Sequence, residues 1–143
     1  MPTRTARTAW DGGLTDGSGQ TELTSSGLAT FEVSFPKRTS DDGGGVTNPE
    51  ELLGASHSAC YSMQLTALIE KSGATPRSLE TRADVTLEDS AISKIALTVT
   101  GEVEGIDQAK FTELAEEAKV SCPISKALTG VAEITVDATL ETA

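Results

Sequence analysis

Residues 47–63 read TNPEELLGASHSACYSM, and this stretch predicts the central element of the fold. Asn48 stands where a helix cap would, Pro49 suits the first helical position, and Glu51 follows three residues after the cap. This capping box predicts a helix that begins at Pro49 and ends near Gly73, because glycine fits the left-handed conformation that closes many helices. Apolar side chains through its middle predict that the helix is largely buried.

Three short strands are predicted before this helix, at residues 5–10, 20–24 and 30–35, with Gly-rich turns between them. Alternation in the third strand places Phe31 and Phe35 on one face. These segments together indicate a β-meander.

The remaining pattern also consists of alternating and amphipathic segments. Residues 36–47, which include three consecutive glycines, are predicted to form a mobile loop. After the central helix, two long alternating strands are joined by a turn at residues 88–91. Apolar residues at helical spacing predict a helix over residues 107–119. A short helix at residues 124–128 and a strand at residues 134–140 follow.

The order of the elements is strands, helix, strands, helices and strand. This order indicates the α+β class, with helices packed on a mostly antiparallel sheet. The length of 143 residues fits one domain over residues 1–143.

Charge and hydropathy exclude several classes of partner. The formal net charge of -11 disfavours nucleic acids and anionic membranes, since both are bound chiefly through Lys and Arg. No apolar run approaches the roughly 20 residues that a membrane helix requires. We therefore expect no nucleic acid partner, no membrane association and a cytoplasmic location.

The two cysteines, Cys60 and Cys122, are too few for a disulfide scaffold and form a candidate redox pair. Cys60 lies in mid-helix, far from a helix N-terminus, so a thiolate there requires a cation. Cys122 precedes Pro123 at a predicted helix start, where unpaired N–H groups favour the thiolate. The alternative for either cysteine is a small core residue. With a single histidine and no cluster at ligand spacing, no metal is expected.

Arg38 is the candidate cation, because an opposite charge within about 4–6 Å shifts a thiol pKa by roughly 1–3 units. Glu50 would orient Arg38, since Glu51 already serves the cap. Ordinary surface roles for both remain open alternatives. Along a straight helix, ten residues place Glu50 roughly 15 Å from Cys60. Either the helix is irregular, or Cys60 meets the Arg38 and Glu50 of a second subunit.

Two further functions stay open at this stage. His57 lies three residues before Cys60 on the same helix face, which allows a cysteine hydrolase. No orienting third group is evident, so a structural or interface histidine is the favoured interpretation. The other alternative is a non-enzymatic module that binds an apolar ligand at a subunit interface.

The quoted helix motif and a second motif, CPISKAL at residues 122–128, resemble the OsmC/Ohr family of hydroperoxide reductases across essentially the whole chain. Arg38 follows the third strand, which resembles the osmotically inducible branch. The resemblance implies an OsmC-like fold with antiparallel sheets around a long central helix, in an intertwined homodimer with sites at its interface. It also implies catalytic roles for Cys60, Cys122, Arg38 and Glu50.

The activity that this resemblance implies is cysteine-based reduction of organic hydroperoxides, and more weakly of hydrogen peroxide, to alcohols. A Cys60 sulfenic acid would be resolved by Cys122 as a disulfide, and an external dithiol would then reduce that disulfide. The implied role is defence against oxidative and osmotic stress. No bound cofactor is implied.

Overall fold

The protein is described here from a computed structural model, which describes residues 1–141. The chain divides into two compact units, one at Met1–Leu52 and one from Leu53 onward. A single domain over residues 1–143 stays a prediction, and its last two residues lie outside the described part of the chain.

The first unit contains a three-stranded antiparallel sheet in the order β1-β2-β3. Its strands are β1 (Arg7–Asp11), β2 (Ser18–Glu22) and β3 (Thr30–Val33). In the register of the first pair, Thr8 faces Thr21, and their hydroxyl oxygens are 2.9 Å apart. The predicted meander is confirmed, with small shifts at the strand ends.

The segment after β3 has more regular structure than the sequence indicated. Phe35 does not extend the third strand but begins a one-turn helix, α1 (Phe35–Arg38). The Ser34 hydroxyl caps this turn, and Pro36 lacks the N–H that a strand ladder needs. In the predicted loop, Gly43–Gly45 form a 3₁₀ turn in which every φ is positive. Glycine adopts positive φ without steric cost, which allows three successive glycines to form this turn.

The long predicted helix is confirmed as α2 (Pro49–Lys71). Asn48 Oδ1 accepts a hydrogen bond from the Glu51 N–H at 2.8 Å, as an N-cap residue does. The Glu51 carboxylate differs from the predicted capping box, because it accepts a hydrogen bond from the nearby Thr47 hydroxyl at 2.6 Å. Gly73 follows the helix with a φ of 90°, as predicted for a helix end.

The second unit contains another three-stranded sheet, in the order β4-β5-β6. β4 (Thr75–Glu88) and β5 (Ala91–Glu104) form the predicted hairpin. Its turn residues Asp89 and Ser90 have φ of 49° and 63°, values that suit the tight two-residue turns favoured by twisted strands. β6 (Glu133–Glu141) pairs parallel to β5, so this sheet is mixed and not wholly antiparallel. A parallel pair requires a crossover, which two helices supply.

These crossover helices are α3 (Gln108–Ser121) and α4 (Pro123–Ala127). The Asp107 side chain caps α3 by accepting a hydrogen bond from the Lys110 N–H at 2.8 Å. The amphipathic pattern is confirmed, because the residues of α3 that are buried are Phe111, Leu114, Ala115 and Ala118. The core of the second unit combines α2, β5 and α3, and its largest contributions from α2 and β5 are Tyr61, Leu65, Ile69, Ile95, Leu97 and Val99.

Gly101 on β5 leaves no room for a side chain in this core. A Cβ there would lie 2.7 Å from Phe111 Cζ and 2.8 Å from Leu79 Cδ2. We expect Gly101→Ala to lower the free energy of unfolding by about 1–3 kcal/mol, because a packed core accepts a methyl group only by moving side chains. Urea unfolding measures this change. Gly130→Ala is the control, since a Cβ at Gly130 meets open space, and equal destabilisation of both variants would contradict the packing argument.

Candidate functional site

The two cysteine side chains meet in the second unit. Cys60 lies in the middle of α2, and Cys122 lies at the junction where α3 ends and Pro123 begins α4. Their Sγ atoms are 3.0 Å apart, and both thiols are free. Because a disulfide requires about 2 Å between the sulfur atoms, a shift of roughly 1 Å would bring this pair to bonding distance. The structure therefore brings together two predicted site residues that are 62 positions apart in the chain.

The two cysteine residues differ in their exposure to solvent. Cys122 is fully buried among the core residues, whereas Cys60 is partly exposed. Cys60 is therefore the more exposed residue of the pair.

The two thiols also differ in their tendency to ionise. Burial raises the pKa of the Cys60 thiol, and contact with Cys122 raises it further. For Cys122, burial again opposes ionisation, but neighbouring polar groups outweigh it and lower the pKa. The groups that lower this pKa are the Cys60 thiol, the polar main chain of Ile124 and Ser125 at the start of α4, and the Ser125 side chain. The second unit by itself thus favours the thiolate at Cys122, and a thiolate at Cys60 would require a further cation.

Arg38 and Glu50 form the other predicted pair, within the first unit. Arg38 Nε lies 3.2 Å and 3.1 Å from the two carboxylate oxygens of Glu50, and Nη2 lies 2.6 Å from Oε1. The Glu50 side chain is only 10% exposed, and the Arg38 side chain is 35% exposed. The hydrogen bonds from Arg38 lower the pKa of the Glu50 carboxyl, so both partners are ionised at neutral pH. Arg38 is the last residue of α1 and not a loop residue as predicted.

The observed contact of His57 differs from the contact with Cys60 that the hydrolase interpretation predicts. It is fully buried, and its Nε2 lies 2.7 Å from the Ser125 hydroxyl oxygen. Burial lowers the pKa of the imidazole, which is therefore neutral near pH 7. No hydrogen bond joins His57 to Cys60 in the described part of the chain, so the geometry gives the alternative of a Cys60–His57 hydrolase pair no support.

Ser125 is the residue of this site that sequence analysis did not select. It lies within the CPISKAL motif, three residues after Cys122. That spacing, which places both side chains on one face of a helical turn, was the only available signal.

Two other kinds of feature are absent from residues 1–141. Within this range, no group of three or more His, Cys, Asp or Glu residues could hold a metal ion. No helix in the same range is long and apolar enough to cross a membrane.

Comparison with known proteins places this chain in a family. Residues 41–137 match the family model described as OsmC-like protein. The chain is 41% identical over 132 residues to Peroxiredoxin OsmC of Escherichia coli K12, with 90% of each chain covered. The chain belongs to the OsmC family. The resemblance in the sequence motifs is therefore confirmed.

Other members and relatives of the OsmC family agree with this assignment. Organic hydroperoxide resistance protein OhrA of Bacillus subtilis is 35% identical over 95 residues, which cover 64% of this chain and 67% of OhrA. An OsmC-like protein from Mycoplasma pneumoniae superposes with a TM-score of 0.74 at 13% identity, with 99% of each chain covered. The structure of OhrB from Bacillus subtilis gives a TM-score of 0.61 at 26% identity, with 96% of this chain and 98% of OhrB covered. The predicted OsmC-like α+β fold is confirmed.

Proposed function

We propose that this OsmC family protein reduces organic hydroperoxides, and more weakly hydrogen peroxide, to alcohols or water. In this proposal Cys60 is the attacking thiolate and Cys122 is the resolving thiol. The observation that carries it is the 3.0 Å separation between the sulfur atoms of a partly exposed and a fully buried cysteine. The attacking sulfur must be reached by the substrate, whereas the resolving sulfur needs only to reach the first one.

The enzyme class has separate support from the relatives. A relative 41% identical to this chain is named a peroxiredoxin, and others are named organic hydroperoxide resistance proteins. The prediction that the protein is a peroxidase-type enzyme is confirmed by these relatives. The alternative of a non-enzymatic binding module finds no support among these names.

The proposed reaction has two steps. The Cys60 thiolate attacks the distal oxygen of ROOH, the O–O bond breaks, and the leaving alkoxide takes a proton to become ROH. Cys60 is then a sulfenic acid. The Cys122 sulfur attacks it, the S–S bond forms, and the S–O bond breaks with loss of water. An external dithiol then restores both thiols by thiol–disulfide exchange.

Cys60 needs a cation, and we assign this role to Arg38, which Glu50 holds in a bidentate ion pair. Glu50 and Cys60 belong to one uninterrupted helix, α2, and ten residues of α-helix rise roughly 15 Å. An arginine held by Glu50 is therefore better placed to serve Cys60 of another subunit. We infer a homodimer in which each site combines residues of both subunits.

The exposed surface of α2 supports a second copy as the partner. Ala55, Ala59 and Met63 recur at a spacing of four residues and are all exposed, with Met63 at 73%. This spacing forms one apolar stripe along the middle of the helix. Because the interface of a two-fold dimer uses the same patch on both subunits, two such stripes would cover each other.

The exposed sheet of the first unit independently supports a homodimer whose two subunits are intertwined. All five residues of β1 are exposed, and the buried hydrophobic residues all follow residue 60. A three-stranded sheet is stable only when one of its faces packs against apolar surface. We propose that a second subunit supplies that surface.

The cellular setting follows from the same chemistry. Continued turnover requires a dithiol that reduces the disulfide, and reducing compartments supply such thiols. We propose that the protein acts in the cytoplasm in defence against oxidative and osmotic stress.

Intact mass spectrometry tests the resolving step. One equivalent of an alkyl hydroperoxide is expected to lower the mass of the wild-type subunit by about two hydrogens, through disulfide formation. Cys122→Ser is the matched variant, and we expect it to gain oxygen and to react with a sulfenic acid trap. An unchanged wild-type mass would contradict a Cys60–Cys122 disulfide.

A further inference from the structure

His57 and Ser125 form a buried polar pair that the two proposed steps do not use. His57 is 0% exposed and Ser125 is 5% exposed, and His57 Nε2 lies 2.7 Å from Ser125 Oγ. The other ring nitrogen, Nδ1, is buried and has no hydrogen-bond partner within residues 1–141. The bond to Ser125 is therefore the one side-chain hydrogen bond that this ring makes in that range. Because polar groups are costly to bury, a pair of this kind calls for an explanation.

The pair lies beside the two cysteines in a matching register. His57 precedes Cys60 by three residues on α2, and Ser125 follows Cys122 by three residues at the start of α4. Residues three apart in a helix lie on the same face, about one turn from each other. The contacts at 2.7 Å and 3.0 Å therefore join the same two segments, side by side and in antiparallel order. A slide of one segment along the other would change both distances together.

Ser125 also anchors α4, a helix of five residues. It is the residue of α4 that is buried, and Cys122 stands at the N-cap position without a side-chain cap hydrogen bond. A helix this short has little stability of its own. Ile124 packs against the core, but apolar contacts are not directional. In residues 1–141, the bond to His57 is the side-chain hydrogen bond that α4 makes, and a hydrogen bond restricts both distance and direction.

We propose that His57 and Ser125 are positioning residues for the resolving step. The His57–Ser125 bond holds the start of α4 on α2, so that Cys122 faces Cys60 with 3.0 Å between the sulfur atoms. Neither of the two side chains acts on the reacting atoms. The inference deepens the proposed peroxidase function and rests on it.

The resolving step shows why this position matters. An electron pair of the Cys122 sulfur forms the S–S bond with Cys60, and the S–O bond of the Cys60 sulfenic acid breaks. The leaving hydroxide combines with the proton of the Cys122 thiol to give water. The sulfur atoms must approach to about 2 Å. Because reaction between two held groups depends steeply on their separation and orientation, loss of the His57–Ser125 bond lowers the effective concentration of one sulfur at the other.

The equilibrium between dithiol and disulfide tests the proposal without any peroxide. In the full chain, oxidised dithiothreitol takes two electrons and two protons from the cysteine pair, and the ratio of the two protein forms gives an equilibrium constant. We expect Ser125→Ala and His57→Leu each to lower this constant by about tenfold, which corresponds to about 30 mV. The double variant is expected to lose no more than the larger single loss, because both changes remove one bond. An unchanged constant in Ser125→Ala would overturn the proposal.

His57→Gln and His57→Asn separate loss of the bond from loss of the ring. The Gln amide reaches about as far as Nε2 and can bond to Ser125, whereas the Asn amide is one carbon shorter. We expect the constant of His57→Gln to stay near the wild-type value and that of His57→Asn to fall as in His57→Leu. Equal constants in the Gln and Asn variants would contradict the proposal. This comparison decides the question even if Ser125→Ala does not fold.

Ser62→Ala is the matched control for a general loss of stability. Ser62 also lies on α2, and its hydroxyl donates to Thr81 Oγ1 of β4 at 2.7 Å, the same length as the His57–Ser125 bond. Urea unfolding measures how far each variant loses stability. The disulfide constant of Ser62→Ala is expected to stay unchanged, since its bond joins α2 to β4 and not to α4. An equal fall of the constant in Ser62→Ala and Ser125→Ala would reduce the effect to stability and overturn the proposal.

Peroxide distinguishes failure of this inference from failure of the proposed function. We expect Ser125→Ala to form the Cys60 sulfenic acid at the wild-type rate and the disulfide several-fold more slowly. If wild-type Cys60 does not react with peroxide, the proposed function fails, whereas the dithiothreitol equilibrium still decides whether the His57–Ser125 bond positions the sulfur atoms. If Cys60 reacts and the disulfide forms equally fast in both proteins, the inference alone fails.

Discussion

Cys60→Ser is expected to abolish hydroperoxide reduction, down to the background rate of the dithiol alone. A serine hydroxyl does not ionise near neutral pH and cannot form a sulfenic acid, so neither step of the proposed reaction can begin. Peroxide consumption in the presence of an external dithiol measures this loss. Full turnover by the variant would exclude Cys60 as the attacking residue.

Cys122→Ser is the matched control, because it makes the same change in the neighbouring thiol. We expect a burst of one equivalent of peroxide per subunit, followed by arrest and further oxidation of Cys60. The opposite result, with a burst in Cys60→Ser and none in Cys122→Ser, would reverse the roles of the two cysteines. That outcome is a real alternative, since the second unit by itself favours the thiolate at Cys122.

Arg38→Met is expected to slow peroxide reduction by about 10-fold to 1000-fold near neutral pH. A cation within about 4–6 Å lowers a thiol pKa by roughly 1–3 units, and each unit changes the thiolate fraction about tenfold. Loss of the cation raises the pKa of Cys60, so the variant should regain activity as the pH increases. The pH profile of single-turnover oxidation measures this recovery.

The control for Arg38→Met is Arg77→Met. Arg77 also pairs with a carboxylate, Glu104 at 2.8 Å, but both side chains are more than half exposed on the hairpin. We expect no change in activity from its loss. Because Arg38→Met leaves Glu50 buried without its partner, the double variant with Glu50→Gln separates loss of the cation from loss of stability. An unchanged rate in both Arg38 variants would exclude Arg38 from the site.

Mixed dimers test whether Arg38 acts on the other subunit. Cys60→Ser supplies an intact Arg38, and Arg38→Met supplies an intact Cys60. If the site forms between subunits, random mixing of the two inactive variants restores about a quarter of wild-type activity, because half of the dimers are mixed and each has one complete site. If each site lies within one subunit, mixing restores nothing.

Local elements of this fold could be predicted because their signals are local. The cap at Asn48 and Pro49 and the glycine at Gly73 predicted both ends of α2, since each acts through backbone groups within a few residues. Alternation predicted the hairpin of β4 and β5 for the same reason. A prediction failed where a second interaction competed with the local alternation pattern. Phe35 continues the alternation of β3, yet Pro36 and the Ser34 cap turn the chain into α1.

No local signal in the sequence predicts whether β6 pairs parallel or antiparallel to its neighbour. An alternating strand has the same pattern whether its neighbour is parallel or antiparallel. The direction was decided by α3 and α4, which carry the chain across the sheet before β6 begins. The predicted pairing of Arg38 with Glu50 is found, whereas the place of Arg38 at the end of a helical turn was not predicted.

By itself, the sequence determined that two cysteines stand in two motifs, one inside a capped helix and one at a helix start. Only the tertiary structure decided that their sulfur atoms lie 3.0 Å apart, that Cys122 is buried while Cys60 is partly exposed, and that His57 meets Ser125. These residues are more than 60 positions apart, and their distances depend on how α2 packs against α3 and α4. Periodicity and capping act over one or two helical turns, so they cannot encode such a distance.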